Sequence, residues 1–221
     1  MYKRQPIEIL YEGADLTKYF ETSKLPKTEF VESLDSIEEE FCFLFVGHWM
    51  KGEFGHDRKN VAYTIKAFLE TFKNKMKQPA LVLKTLKVGG SLMDQTHLLR
   101  DIDNIRKQTK GRLPNIYLLH GEISDEEMNH LYNHRKIKSM LSFTKGEGFG
   151  RPLLEFSLTG KPIIASGWSG HVDFLDKDNA LLIGGTLENV HPSVANDFLM
   201  QQASWFKPDD GQVNNLSLIH I

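Results

Sequence analysis

The sequence predicts an α/β domain with a Rossmann-like, doubly wound parallel sheet. A continuous apolar run at 41–46 is typical of a strand buried on both faces. An apolar periodicity of three and four residues from Val61 to Met76 then predicts one face of a long amphipathic helix. This alternation of strand and helix continues along the chain, as expected when parallel strands are joined by helical crossovers.

The remaining elements follow in the same order. Strands are predicted at 80–83, 116–119, 139–143, 162–165 and 181–183. Helices are predicted at 94–110, at 124–132 with a Ser124/Glu127 capping box, and from Pro152 onward. Ahead of the sheet, residues 7–20 predict a short strand and turn that act as a linker. The acidic stretch 29–40 is most simply a solvated surface segment.

Composition restricts the function classes. With 221 residues and 40% apolar content, the chain can form a full-sized core. The 27 basic and 29 acidic residues provide no overall positive charge, so no nucleic-acid partner is expected. One cysteine, Cys42, excludes a disulfide framework and favours a reducing compartment. No apolar stretch approaches the roughly 18 residues of a transmembrane segment, and no signal peptide begins the chain, so a cytoplasmic location is expected.

The two ends of the sequence match each other as nucleic acid. Residues 216–220 can be encoded by CTG TCT CTT ATA CAC, whose reverse complement encodes residues 1–5 from a GTG start codon. That DNA resembles a transposase adapter used in sequencing libraries. We therefore expect residues 1–5 and 216–221 to be adapter-derived, with a chance match of two short peptides as the alternative.

A glycine-rich loop at 47–60 leaves the first strand and enters the long helix. It ends in the adjacent cations Arg58 and Lys59, which oppose the helix macrodipole. An anion held between them and the free N–H groups of the helix would relieve that conflict. A flexible surface loop with both cations facing water is the alternative.

A second glycine-rich loop, at 145–152, precedes the helix that Pro152 opens. Glu155 lies about one turn inside that helix, where its carboxylate can accept hydrogen bonds from a vicinal diol. Its alternative role is to complement the helix dipole. Glu147 lies outside the helix among glycines, where packing seldom needs a carboxylate, although it could be a simple turn residue.

The third loop, at 166–173, follows the next strand and has small residues that would admit a ligand. Its His171 is expected to be an ordinary surface or capping histidine rather than a proton-transfer group. The nine histidines show no spacing typical of metal ligands, so no metal site is expected.

Residues 147–155 read Glu-Gly-Phe-Gly-Arg-Pro-Leu-Leu-Glu and are followed by Gly-Lys-Pro-Ile-Ile-Ala at 160–165 and by Ser169-Gly170. This pattern resembles the Glu-x(7)-Glu motif of retaining family-four glycosyltransferases with the GT-B fold, the glycosyl transferases group 1. Further segments resemble the family's first strand and phosphate loop, its Gly-x-x-Ser-x-x-Glu-x-x-x-Leu-Tyr segment and its interdomain linker; they are 43–47 with 58–60, 121–132, and 11–15 with Phe20.

The resemblance implies that 6–40 is the linker and the end of a missing N-terminal domain. It implies that 41–215 is a truncated, nucleotide-sugar-binding C-terminal GT-B domain. Residues around Trp205, Phe206 and Pro208 resemble the approach to the family's final helices, and truncation there is expected to leave apolar surface exposed.

The implied activity is sugar transfer from a nucleotide diphosphate donor with retention of configuration. On this basis Glu147 is the catalytic residue that faces the transferred sugar, and Glu155 holds the ribose hydroxyls. Gly148, Phe149 and Gly150 offer N–H groups to the sugar or the diphosphate.

The phosphate-binding role falls to Gly47, Arg58 and Lys59, because His48 stands where the family usually has an arginine. Gly121 and Glu122 lie in the implied nucleobase region. Fixed cations and helix N-termini can stabilise the leaving diphosphate, so no cofactor and no metal are expected.

The expected partners are a nucleotide diphosphate sugar, an unknown acceptor and the missing N-terminal Rossmann-like half. Without that half, the chain is expected to bind donor weakly and to turn over little. The alternatives are a non-catalytic nucleotide-sugar-binding module and a GT-B-fold sugar-nucleotide epimerase.

Overall fold

The structure is a computed structural model that describes residues 8, 10–50, 56–87, 89–194 and 202–218. Its main sheet has six strands: β1 (Cys42–Val46), β2 (Ala80–Lys84), β3 (Ile116–Leu119), β4 (Ile137–Ser142), β5 (Ile163–Ser166) and β6 (Ala180–Ile183). They lie in the order β3-β2-β1-β4-β5-β6, and every neighbouring pair is parallel. The predicted doubly wound sheet is confirmed, and its strand order reverses between β1 and β4.

Six α-helices accompany the strands within the described ranges: α1 (Glu29–Asp35), α2 (Val61–Phe72), α3 (Leu92–Gln108), α4 (Asp125–Asn133), α5 (Arg151–Ser157) and α6 (Asp210–Asn214). The predicted capping box opens α4. Helix α2 ends at Phe72 rather than near Met76, because Asn74 turns the backbone to a φ of 60° and leaves Met76 96% exposed. None of the helices in these described ranges is both long and apolar enough to span a bilayer.

The core has one layer on each face of the sheet. Alternate residues of a strand point to opposite faces, so Phe43 and Phe45 pack with α2 and α3 while Cys42 and Leu44 pack with α4 and α5. Both faces are therefore covered, which explains why β1 is apolar throughout.

The acidic stretch 29–40 is not simply a solvated segment, and that expectation was wrong. Residues Glu29–Asp35 form α1, which Thr28 caps by accepting a hydrogen bond from Val31 N–H. Val31, Leu34 and, just beyond the helix, Ile37 follow a spacing of three and are buried, so this segment is not a solvated surface segment although the helix also carries Glu29, Glu32 and Asp35.

The segment 7–20 contains the predicted turn but not the predicted strand, and its role as a linker stays a prediction. Among its described residues no strand is present, and the amides of Lys18 and Tyr19 close a turn onto Asp15 O. The following backbone bonds to α4 side chains instead of a strand partner: Phe20 N–H donates to Asn129 Oδ1 and Thr22 N–H to Asn133 Oδ1. Residues 1–7 and Ile9 lie outside the described residues.

A second, antiparallel pair of strands was not foreseen, namely β7 (Gly185–Asn189) and β8 (Ser204–Pro208). Phe206 and Pro208 of β8 are buried. A groove of about 780 Å³ with largely apolar walls, including Phe41, Ile164 and Leu181, lies beside the last described residues. Of the expected adapter-derived residues, 1–5 and 219–221 lie outside the described part of the chain.

Candidate functional site

The first two predicted loops meet where the strand order reverses, at the carboxyl ends of β1 and β4. Arg58 O accepts hydrogen bonds from Lys145 N–H at 2.9 Å and from Thr144 Oγ1 at 3.2 Å. Asn60 Nδ2 donates to Phe143 O at 2.9 Å. Residues 51–55 of the first loop lie outside the described residues. The parts on either side of them form one edge of the crevice in which such sheets bind ligands.

A carboxylate and two cations occupy this crossing. Lys59 Nζ lies 2.5 Å from Glu147 Oε1, and Arg58 Nη1 lies 3.4 Å from Glu147 Oε2. The side chain of Glu147 is 8% exposed, against 18% for Lys59 and 48% for Arg58. Arg58 also donates to Gly146 O. The two cations are therefore preorganised around one buried carboxylate, with which an incoming anion would have to compete.

The N-terminus of α2 already has an anion. Asp57 Oδ2 accepts from Val61 N–H at 3.1 Å, and Asp57 Oδ1 accepts from Lys59 N–H at 3.2 Å. Asp57 is buried, and burial raises the pKa of its carboxyl. The Asp57 side chain therefore already bonds the N–H of the first helical residue, Val61. Binding of an external anion between Arg58, Lys59 and the remaining N–H groups of the helix start stays a prediction.

Gly47 directs its amide into the sheet. Its N–H donates to Lys84 O at 3.1 Å, and a Cβ at this position would lie 3.5 Å from Lys59 Cδ. Gly47 therefore lies beside the predicted phosphate cation, but its amide is already bonded and does not point to a ligand.

The second loop presents main-chain donors. Gly150 has a φ of 95° as the N-cap of α5, and Pro152 stands in the first turn as predicted. Within the part of the chain that the structure describes, the N–H groups of Gly148, Phe149 and Gly150 donate no hydrogen bond. These three donors next to Glu147 therefore remain free to bond to oxygen atoms.

Glu155 lines a small pocket apart from the loop crossing. Tyr132 Oη donates to Glu155 Oε2 at 3.2 Å, and Arg151 Nη2 lies 3.7 Å from Glu155 Oε1. Burial raises the pKa of the Glu155 carboxyl. The cavity it lines holds about 160 Å³, and Asp15 and Tyr19 of the N-terminal segment also line it. The predicted site residues thus lie in two places, with Glu147 at the loop crossing and Glu155 in this cavity.

Comparison with known proteins identifies the family. The family model of glycosyl transferases group 1 matches residues 40–191. The chain belongs to this family. A comparison with curated protein sequences finds no match. The family relationship and the GT-B C-terminal domain fold, both inferred from the 147–155 motif, are confirmed.

Solved structures of this group 1 fold share little sequence with the chain. WaaG, a glycosyltransferase involved in lipopolysaccharide biosynthesis, aligns with a TM-score of 0.59 at 16% identity over 94% of this chain and 45% of its own. The C-terminal domain of LpcC from Francisella tularensis aligns with a TM-score of 0.54 at 16% identity, over 78% of this chain and 80% of its own. Anabaena HepE, in complex with UDP-glucose, aligns with a TM-score of 0.53 at 17% identity, over 80% of this chain and 43% of its own. The chain thus spans less than half of WaaG and HepE.

The implied nucleobase region of this group 1 domain lies at the end of β3. Lys84 Nζ donates to Gly121 O, and burial lowers the pKa of Lys84 while the charge of Glu122 opposes that shift. Sequence reasoning missed Lys84. The available signal was a lysine that ends an otherwise apolar strand.

The third loop is packed beneath the second. His171 is fully buried and donates from Nε2 to Ser166 O at 2.6 Å, so the expectation of a surface or capping histidine was wrong. Burial lowers the pKa of this imidazole, which favours its neutral form. Ser169 bonds to the main chain of Glu147, a contact that no sequence spacing indicates.

No group of three or more histidine, cysteine, aspartate or glutamate side chains within the described ranges is arranged to hold a metal ion.

Proposed function

We propose that this protein transfers a sugar from a nucleoside diphosphate donor to an acceptor with retention of configuration, and that this chain carries the donor site. The observation that supports the proposal best is the contact between Lys59 and Glu147 at the loop crossing, with the free N–H groups of 148–150 beside it. HepE, which shares the fold, has been solved in complex with UDP-glucose. Acceptor contacts would come from a second Rossmann-like half.

In this proposal Arg58 and Lys59 hold the diphosphate. Charged groups form the strongest hydrogen bonds to phosphate oxygens, and a diphosphate carries more negative charge than one carboxylate. It can therefore displace Glu147 from Lys59, which frees the Glu147 carboxylate to face the transferred sugar.

The transfer breaks the bond between the anomeric carbon and the diphosphate, and the electron pair stays on the diphosphate oxygen. The anomeric carbon then bonds to the oxygen of an acceptor hydroxyl, whose proton passes to the departing diphosphate oxygen. Arg58 and Lys59 are fixed near the place where that negative charge grows, which is how preorganised cations lower a barrier. We propose that they do so without a metal ion.

Glu155 would hold the ribose. Its carboxylate can accept two hydroxyl hydrogen bonds, and the pocket of about 160 Å³ that it lines is small and polar. Burial disfavours the charged Glu155 carboxylate. Hydrogen bonds from ligand hydroxyls would therefore stabilise this carboxylate more than the same hydrogen bonds would in water. Gly121 and Glu122 would lie toward the base.

Calorimetric titration of the chain with UDP-glucose, GDP-glucose and ADP-glucose tests the donor site. We expect one donor to bind and both Glu155→Ala and Lys59→Ala to weaken it at least about tenfold, since each loses a charged hydrogen bond. Lys177→Ala and Glu126→Ala serve as controls on exposed positions away from the loop crossing. Equal affinity in the site variants and the wild type would contradict the assignment.

Transfer itself needs a protein that includes the second half. Its product with a binding donor and a panel of acceptors, analysed by NMR for anomeric configuration, should retain the configuration of the donor. An inverted product would contradict retention. Donor binding without transfer to any acceptor would instead favour the non-catalytic nucleotide-sugar-binding module.

A further inference from the structure

The side chain of Ser169 bonds to both main-chain polar groups of Glu147, its N–H and its C=O. Its Oγ accepts a hydrogen bond from Glu147 N–H at 2.9 Å and donates one to Glu147 O at 2.6 Å. Gly170 N–H adds a third hydrogen bond to the same carbonyl, at 3.2 Å. A hydroxyl is the smallest side-chain group that can donate and accept at once, so neither alanine nor glycine could form this pair of bonds.

The backbone of Ser169 is strained where it makes these contacts. Its φ is 89°, a region that favours glycine and that a residue with a Cβ adopts only when its surroundings enforce it. A glycine would fit the local backbone better, but it would lose the hydroxyl. Strain of this kind is concentrated where the position of a neighbouring group matters for function.

The two loops fit together beyond this residue. A Cβ on Gly170 would lie 2.0 Å from Gly148 O, and a Cβ on Gly150 would lie 3.0 Å from His171 Cβ. Residues 169–171 therefore pack closely against residues 147–150. The carboxylate of Glu147 projects from this fixed backbone toward Lys59.

We infer that Ser169 is a positioning residue that fixes the backbone of Glu147, so that the Glu147 carboxylate meets the sugar of the donor rather than its nucleotide. This inference rests on the proposed function. On this inference, the Ser169 hydroxyl contributes to the affinity for the sugar of the donor although it does not touch the donor itself.

The test separates sugar from nucleotide. Affinities for UDP and UDP-glucose, GDP and GDP-glucose, and ADP and ADP-glucose are measured by calorimetry, and the pair that the wild type binds best is used. The readout is the ratio of the two affinities within that pair. Ser169→Ala and Ser169→Gly should each lower the preference for the sugar nucleotide about tenfold and change the affinity for the bare nucleotide less than about twofold.

Two further variants are needed to interpret that ratio. Glu147→Ala should lower it as well, whereas Ser157→Ala should not, although its hydroxyl also donates to a main-chain carbonyl, Leu154 O at 2.7 Å. Hydrogen exchange at the Glu147 amide should accelerate in Ser169→Ala and not in Ser157→Ala.

A wild type that binds no pair overturns the proposed function and this role together. A ratio that falls in Glu147→Ala but not in the Ser169 variants overturns the role of Ser169 alone. A merely structural Ser169 would be replaced without loss by glycine, which relieves the strain, so a normal ratio in Ser169→Gly would also overturn it.

Discussion

The phenol of Tyr132 donates a hydrogen bond to Glu155 Oε2 across 3.2 Å, and both side chains are buried. Tyr132 lies on α4 and Glu155 on α5, so this bond joins two helices beside the pocket that Glu155 lines together with Asp15 and Tyr19. A buried carboxylate that loses such a donor raises the free energy of the folded state, so the Tyr132 phenol should stabilise the fold.

Replacing Tyr132 with Phe should lower the free energy of unfolding at pH 7 by about 1–3 kcal/mol, because the Glu155 carboxylate loses its buried phenol donor. Chemical denaturation at pH 7 and pH 4 measures this. The loss should be smaller at pH 4, where more of the carboxyl is protonated and needs less stabilisation. Tyr11→Phe is the control, since Tyr11 is exposed. Similar losses in both variants would refute the explanation.

Glu155→Gln should make the folded state less sensitive to pH. Burial raises the pKa of Glu155 in the folded state, so the folded protein retains a proton that the unfolded chain has lost. Wild-type stability must therefore fall as the pH rises from about 4.3 through the raised pKa. Over that pH range we expect the free energy of unfolding of Glu155→Gln to rise relative to that of the wild type. The variant should be the more stable protein at pH 7.

Denaturation curves at half-unit steps from pH 4 to pH 7 test this sign. If the wild type instead gained on Glu155→Gln with rising pH, the pKa would have to be lowered in the fold. The same variant should bind the donor poorly, which would identify Glu155 as a residue kept for binding at a cost in stability.

The two cations around Glu147 should not be equivalent. Lys59→Met should lower the free energy of unfolding by about 1–3 kcal/mol, since it leaves a buried carboxylate without its closest partner. Arg58→Met should cost less than about 1 kcal/mol through this ion pair, because Arg58 is half-exposed and more distant from Glu147.

The double variant Lys59→Met/Glu147→Gln should recover part of the loss, since no unpaired charge remains buried. Urea denaturation of the four proteins of this double-mutant cycle gives the coupling energy. A coupling indistinguishable from zero would contradict the pairing.

Gly170→Ala should destabilise the fold more than most single substitutions, by about 2–4 kcal/mol. Its Cβ would lie 2.0 Å from the main-chain oxygen of Gly148, so one of the two loops must move. Gly89→Ala is the matched control, because a Cβ there meets nothing within 4 Å. Comparable thermal midpoints for both variants would show that the loops are less tightly packed than described.

The fold was predictable because its signals are local. The apolar run at 41–46, the helical period after Val61 and the Ser124/Glu127 box each report their own element, and parallel pairing follows from their alternation. The helix α1 was missed because the many acidic residues of 29–40 suggested a surface segment, although Val31, Leu34 and Ile37 already repeat every three residues. The antiparallel β7 and β8 carry no comparable signal.

The site was predictable only in part. The glycines and charged residues indicated the two loops, and the rule that parallel sheets bind ligands beyond the carboxyl ends of their strands placed both loops at one edge. The interactions between loops were not readable. That Ser169 bonds to Glu147 and that His171 is buried depend on which residues meet after folding, and Ser169 and Glu147 are 22 positions apart.

The interlock of 169–171 with 147–150 also limits how this domain can be redesigned. Ser169 bonds to Glu147, Gly170 lies against Gly148, and His171 lies against Gly150, so an insertion or a loop transplant on one side alone would misalign these contacts. Any exchange of one segment should therefore take both segments from the same source sequence as one cassette.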